Sequence, residues 1–468
     1  MLRIVALIIF SCLVASCGKD TTVVNKKTQL SGEIINPAFD YFILTQKRGF
    51  RDTIFLDENN RFSHTFDTEH LGLINFVHNE QQLIHIEKGD SIEMSLDTNA
   101  FDESLKYTGK GAKKNTFLRD MHLFWENEVD IFDKNYQKEP KEFLHLLDSL
   151  QSAREKTLKQ FIAENRVSQE FLEIAKVSAS LDNYGRKEAY PLKHPVEDKL
   201  SFIESLPEGF YSFRESIDIN NPNFFELYNY ERYVDAFVDH QTFLRYGDKE
   251  VYNNGSYAHV YNKVNVIDKH ILDTRLKDIM LHFTARIFLA NSNDNKGARK
   301  LVTHLNHKVH HPKIKSAIER LHSTHKKMEA GKIISDVTLI EAYTNRKVML
   351  KSLLQKPTVI YFWTDDNPIH IVATRRKITN LSAKFPEYDF IGININTESD
   401  MWRRQLEKYA IENTKQYRFE NSVTGKIELL VQKLEKIIIV DKDGMILNAF
   451  SNLKRPDFEE ELVSYIKP

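Results

Sequence analysis

Thiol chemistry would be the easiest function to read from this chain, and the residues for it are nearly absent. There are two cysteines, Cys12 and Cys17, both within the first seventeen residues. From position 18 onward nothing can serve as a thiolate nucleophile or as a disulfide partner. Histidine is the next reactive type. His304, His307, His310 and His311 cluster, and His322 and His325 follow. The spacing of 304, 307 and 311 suits one helical face, although Pro312 limits that helix. The pattern reads as a solvated basic helix, with zinc or haem capture as the alternative. A Gly-rich phosphate loop, Gly-x-Ser-x-Gly and His-Glu-x-x-His are all missing. No catalytic residue, metal-ligand set or cofactor is assigned.

The elements that must position such residues come next. A length of 468 residues suggests two to four domains at about 150 residues each. The balance of 41% hydrophobic and 28% charged residues is that of a globular protein. It argues against widespread disorder and against a multi-span membrane protein. With 65 basic and 66 acidic residues, nucleic acid is not expected as the main partner. The 16 glycines and 12 prolines fall below ordinary usage and favour long helices over a turn-dense all-β fold.

Residues 1–16 read MLRIVALIIFSCLVAS, with Arg3 ahead of an apolar run from Ile4 to Ala15. The run is too short to span a bilayer and has the form of a signal peptide. Leu13-Val14-Ala15-Ser16-Cys17 resembles a bacterial lipobox. The resemblance implies that Cys17 is lipidated, becomes the new N-terminus and anchors the chain in a membrane. Cys12 would leave with the signal peptide and Cys17 would become a thioether. Gly18, where Asp would signal inner-membrane retention in some bacteria, points to an outer-membrane lipoprotein, on the periplasmic or the surface face. Residues 17–28 are polar and, on that resemblance, would form a lipidated tether.

Three sections follow. Over 29–114, short runs such as Tyr41–Leu44, Thr53–Leu56, Leu73–Val77 and Ser91–Leu96 are bounded by turn signals, among them Asn59-Asn60 and Gly89-Asp90. They predict a small antiparallel β domain. Over 115–330 apolar residues recur at helical spacing, as in Phe143, Leu144, Leu147 and Leu150, and predict a helical domain. Tyr228, Tyr230, Tyr233 and Phe237 form an aromatic stripe that reads as core packing, with a ligand groove as the alternative. Over 331–468 strands and helices alternate: Thr358–Phe362, a helix over about 371–384, Asp389–Asn394, a helix over 401–409, Ile437–Val440, Met445–Phe450 and a helix over 457–466. The fold class expected is multidomain α+β ending in an α/β domain.

Lys356-Pro357-Thr358-Val359-Ile360-Tyr361-Phe362-Trp363, and later Val440-Asp441-Lys442-Asp443-Gly444, resemble the first core strand and the late β-hairpin of thioredoxin-like, TlpA-like exported proteins. Asn60-Arg61-Phe62, Glu87-Lys88-Gly89-Asp90 and Tyr107-Thr108-Gly109 resemble the small β domain, of unknown function, that often precedes the thioredoxin part in such lipoproteins. The family's active loop carries Cys-x-x-Cys after its Phe-Trp. Here the loop reads Trp363-Thr364-Asp365-Asp366-Asn367-Pro368-Ile369-His370, so Asn367 and His370 stand at the two cysteine positions. The family's cis-proline position falls at Glu435. The resemblance thus implies a degenerate thioredoxin-like domain with both redox cysteines lost. Trp363, Asp365, Asp366, Asn367, His370 and Glu435 are the candidate binding residues at the old active-site edge. Helix capping by Asp365, Asp366 or Asn367 is the simpler reading of that loop.

These readings lead to a lipid-anchored cell-envelope protein, redox-inactive and not expected to be an enzyme. It would bind protein or ligand, or serve as a subunit of an envelope complex. The alternative is a member of the thiol-disulfide oxidoreductase or peroxiredoxin-like lineage with a residual role in envelope protein folding or redox homeostasis. The expected partners are the membrane, through the lipid, and an envelope protein.

Overall fold

The structure is a computed structural model that describes residues 27–466 apart from 48, 79, 247–254, 365–367, 396–398 and 409–414. The signal segment and Cys17 therefore lie outside the described residues, as do Asp365, Asp366 and Asn367. The chain forms two compact units. Of the described residues, the first comprises those up to Glu126 plus Leu158–Ala175; the second comprises Asn127–Thr157 and those from Lys176 onward. Among the described residues no helix is long and apolar enough to cross a membrane.

The first unit is built on β1 (Gln29–Ile35), β2 (Tyr41–Thr45), β3 (Arg51–Phe55), β4 (Arg61–Thr65), β5 (Gly72–His78), β6 (Glu80–Ile86), β7 (Ser91–Asp97) and β8 (Lys106–Lys110). A short helix α1 (Phe101–Ser104) joins the last two strands; α2 (Ala112–Asn135), α3 (Pro140–Glu164) and α4 (Gln169–Ser178) follow, and the first unit takes α2 up to Glu126, α3 from Leu158 and α4 up to Ala175, the rest of them belonging to the second. The strands form two four-stranded sheets, ordered β4-β1-β7-β8 and β3-β2-β5-β6. Every pairing is antiparallel except β1 with β7, which is parallel. Alternation along the strands explains the core. Leu30 and Ile34 of β1, Phe42 and Leu44 of β2, and Ile92, Met94 and Leu96 of β7 point into one apolar cluster. Phe42 packs on Phe62 and Phe76, both at 4.6 Å between ring centroids. Asn60 and Gly89 take positive φ at the tight turns before β4 and β7, as their residue types allow. The start of α2 is tied to the strands by buried polar groups. Asn115 accepts from the His85 backbone N–H at 2.6 Å and donates to the His85 carbonyl at 3.0 Å. Lys114 pairs with Glu87 and Asp90 at 2.5 and 2.8 Å.

The helical part of the second unit continues with α5 (Leu181–Lys193), α6 (Lys199–Glu204), α7 (Tyr228–Tyr246), α8 (Tyr257–His270), α9 (Thr274–Asn291), α10 (Asn295–Asn306) and α11 (Pro312–Lys327). Phe143 stacks on Tyr190 at 3.9 Å. Tyr230, Tyr233 and Phe237 of the aromatic stripe are buried, as core packing requires.

The C-terminal part adds β9 (Thr338–Glu341), β10 (Lys347–Met349), β11 (Thr358–Trp363), β12 (Asp389–Asn394), β13 (Lys415–Phe419), β14 (Lys436–Val440) and β15 (Ile446–Asn452). It also adds α12 (Pro368–Lys384), α13 (Ser399–Lys408), α14 (Ser422–Glu428) and α15 (Phe458–Ile466). One seven-stranded sheet has the order β10-β9-β13-β12-β11-β14-β15. Its central strands β11, β12 and β13 are mutually parallel, with α12 and α13 in the two crossovers, and the hairpins β9–β10 and β14–β15 flank them. This is the α/β arrangement that the thioredoxin-like resemblance implies. Both faces of the sheet are covered, so β11 is buried at every position rather than alternating. Ile360 and Phe362 enter one cluster with Ile391, Ile438 and Leu429; Val359, Tyr361 and Trp363 enter the other with Ile378, Trp402 and Phe458. The first cluster also takes in Ala290 of α9 and Met328, just after α11, so helical and α/β parts share one core.

Candidate functional site

The edge where the family's dithiol would stand is framed by the end of β11, the start of α12 and the residue before β14. The register of β11 against β14 pairs Thr358 with Val440 and Tyr361 with Ile437. Continued by two residues, it sets Glu435 opposite Trp363. Among the described residues no peptide bond is cis.

His370 lies in the first turn of α12 and is half-buried. Burial lowers its pKa, while the Glu435 carboxylate pulls it back up. Its Nε2 lies 3.2 Å from Thr374 Oγ1, one helical turn on. Glu435 accepts from Lys454 Nζ at 2.8 Å, and its carbonyl accepts from the Leu453 N–H at 3.0 Å. Burial pushes the Glu435 carboxyl up, but the bond to Lys454, a backbone hydrogen bond and the positive charge of Lys454 together hold the group below its ordinary value. His370, Glu435 and Lys454 thus form a short charged rim able to hold a polar group. No cysteine stands at this edge. Among the described residues His370 belongs to no group of three ligating side chains.

Trp363 is placed differently from these two. It is only 2% exposed and packs in the core with Trp402, ring centroids 6.5 Å apart. Its Nε1 donates to Gln416 Oε1 at 3.0 Å, and Gln416 Nε2 donates to the Tyr361 hydroxyl at 2.6 Å. The indole therefore supports the sheet rather than lining the rim.

The clustered histidines are largely structural. His325 is fully buried, with Nδ1 at 2.8 Å from the Leu289 carbonyl and Nε2 at 3.0 Å from Asn295 Oδ1. The backbone N–H groups of His310 and His311 donate to the buried Asp278 carboxylate. The His311 side chain caps α11.

Other polar groups in the second unit escape a reading by motif. Arg154 grips Glu128 with two bonds of 2.7 and 2.9 Å, and Arg186 reaches the same carboxylate at 2.6 Å. Glu188 binds His240 Nδ1 at 2.7 Å and Arg214 Nε at 2.7 Å. Burial pushes Glu188 up, yet Arg214 and His240 together keep it below its usual pKa. Lys436, almost wholly buried, donates to the Ala290 carbonyl at 3.0 Å. Partners such as Glu128 and Arg186, 58 positions apart, give no local pattern. In the first unit, His122 and Glu126 do carry a signal, a four-residue spacing on one helix.

No family model matches the chain, and no curated protein matches it. Among solved structures it is similar to a protein provisionally assigned as a thiol-disulfide oxidoreductase from Bacteroides vulgatus: 19% identity, 30% of this chain and 97% of that one covered, TM-score 0.27. It is similar also to a domain provisionally assigned as a thiol-disulfide isomerase from Cytophaga hutchinsonii, at 18% identity, with 30% and 93% covered and a TM-score of 0.26. A third is the thioredoxin domain of a thiol-disulfide oxidoreductase from Bacteroides vulgatus, at 15% identity, with 30% and 98% covered and a TM-score of 0.26.

Proposed function

We propose that this chain is a lipid-anchored cell-envelope protein whose C-terminal domain keeps a thioredoxin-like architecture without thiol chemistry and acts by binding, as a subunit of an envelope assembly. The observation that carries the reading is the lack of any cysteine after position 17, although Asn367 and His370 occupy the two positions where the family carries its thiols. The lipobox-like Leu13–Cys17 supports the anchor, and Gly18 after it supports an outer-membrane location, on the periplasmic or the surface face. The His370–Glu435–Lys454 rim is the part of the old active edge left to meet a partner.

Two measurements test this. Cells expressing the tagged chain are fed a radiolabelled fatty acid and fractionated. Label and outer-membrane location are expected in the wild type and both are lost in Cys17→Ala; an unlabelled wild-type chain overturns the anchor. Purified protein is then assayed for insulin reduction with dithiothreitol. A rate no higher than the uncatalysed one is expected, and appreciable turnover overturns the redox-inactive reading. Pull-down from detergent-solubilised envelopes identifies the partner, and substitution of His370 and Glu435 by Ala weakens its recovery if the rim is the contact.

A further inference from the structure

A second chemistry-bearing cluster lies in the first unit, far in sequence from the degenerate loop. After β7 the chain makes one helical turn, α1, which carries Asp102. Twenty residues on, α2 presents His122 and Glu126, spaced so that both project from the same face. His122 Nε2 lies 3.8 Å from Asp102 Oδ2 and 3.8 Å from Glu126 Oε1. One ligating atom from each of the three residues lies within 4.8 Å of the other two.

The surroundings fix this geometry. Gln82 of β6 donates to Asp102 Oδ1 at 3.4 Å. Trp125 stacks on the His122 ring, centroids 5.6 Å apart and planes inclined by 27°. Asp102 and His122 side chains are each 11% exposed, while that of Glu126 is 42% exposed, so the cluster is open on one side. Glu80 of β6 adds further negative charge: burial raises its carboxyl pKa, and Asp102 and Glu103 raise it further. Burial likewise raises Glu126, with Asp102, Glu103 and Glu80 adding to it. Asp102 is raised mainly by burial, against the opposing pull of His122.

We propose that Asp102, His122 and Glu126 form a binding site for one divalent transition-metal ion of the zinc class. Donors sharing a tetrahedral ion at about 2.1 Å lie about 3.4 Å apart. The observed 3.8 Å spacings reach that by small side-chain rotations. One imidazole with two carboxylates favours a transition metal over magnesium or calcium, which take all-oxygen sets. Three protein ligands and an open side leave a coordination position for water or for a donor from a ligand. Gln82 orients Asp102 from behind, the part an outer-shell partner plays at a metal site.

The test uses the full-length chain in detergent, stripped with EDTA and titrated calorimetrically with zinc chloride, with magnesium chloride as the hard-ion comparison. The surface histidines of 304–311 are the obvious competing site, so a His307→Ala/His310→Ala variant is included. Saturable binding of one zinc per chain is expected, unaffected by magnesium. It weakens at least about tenfold in His122→Gln, in Asp102→Asn and in Glu126→Gln, and is unchanged in the His307/His310 variant. Glu126→Gln replaces a largely exposed carboxylate, and Asp102→Asn relieves a repulsion. Neither should lower the melting temperature of the metal-free chain, so a loss of binding cannot be put down to misfolding. Zinc should raise that temperature in the wild type and not in Glu126→Gln. No saturable binding, binding untouched by the three site variants, or binding lost only in the His307/His310 variant each overturns the proposal.

Discussion

Lys436 places an ammonium inside the second unit, where the Ala290 carbonyl at 3.0 Å and the face of Phe450, 5.0 Å away, partly offset the loss of water. Burial pulls its pKa from 10.5 down to about 7. Between those two values the unfolded chain holds the proton more tightly than the folded one. Stability therefore rises with pH across that window, and the penalty is felt in full below about pH 7. Lys436→Met should raise stability at pH 6 by on the order of 1–3 kcal/mol, a gain that shrinks towards pH 10. Urea midpoints at pH 6, 8 and 10 check this; a gain independent of pH would sink it. This lysine was not legible beforehand, because nothing local marks a strand-leading Lys as buried. The site residues fare unevenly for a related reason. His370 and Glu435 could be named from spacing along the chain, and they lie within electrostatic reach of each other. Trp363, named with them, has the opposite fate, because a strand buried at every position has no alternation to say which face is the rim and which the core.

At the level of elements, periodicity carried most of the information. Strands β11, β12 and β14 and helices α12 and α15 fall within a few residues of where apolar runs and helical spacing put them. β13 was missed. Its sequence, Lys415-Gln416-Tyr417-Arg418-Phe419, is as polar as a loop, yet it sits between β9 and β12 in the sheet. The polar residue Gln416 is buried there because it bridges Trp363 and Tyr361, a pairing across 53 positions that no local pattern shows. The parallel pairing of β1 with β7 was hidden in the same way, being a contact between chain-distant strands. The Gln416 bridge leaves little room beside it. A Cβ on Gly392 of β12 would lie 2.3 Å from Gln416 Oε1 and 2.7 Å from Tyr361 Cζ. Gly392→Ala should therefore destabilise the second unit by about 1–3 kcal/mol. Thermal denaturation checks it, and an unchanged melting temperature would show that the bridge can move aside.

Across the whole molecule, the pattern of apolar residues points to a change of character near residue 331, where a run of helices gives way to alternating strands and helices. Packing does not stop there. Ala290 and Met328 belong to the same core as Ile360 and Ile438, and Lys436 reaches back to Ala290. A fragment of residues 331–468 should melt roughly 5–15 °C below one that begins at 274, since it loses apolar cover and leaves a buried ammonium without its acceptor. Differential scanning calorimetry of the two fragments decides it; equal melting temperatures would mean that the α/β part is self-sufficient.

The three tryptophans are divided between the units: Trp125 beside His122 in the first, Trp363 and Trp402 in one core of the second. The chain thus contains its own optical labels. Trp363→Phe/Trp402→Phe leaves an emission that reports the first unit alone, and Trp125→Phe leaves one that reports the second. The order in which the two units unfold can then be followed by intrinsic fluorescence without attaching a dye.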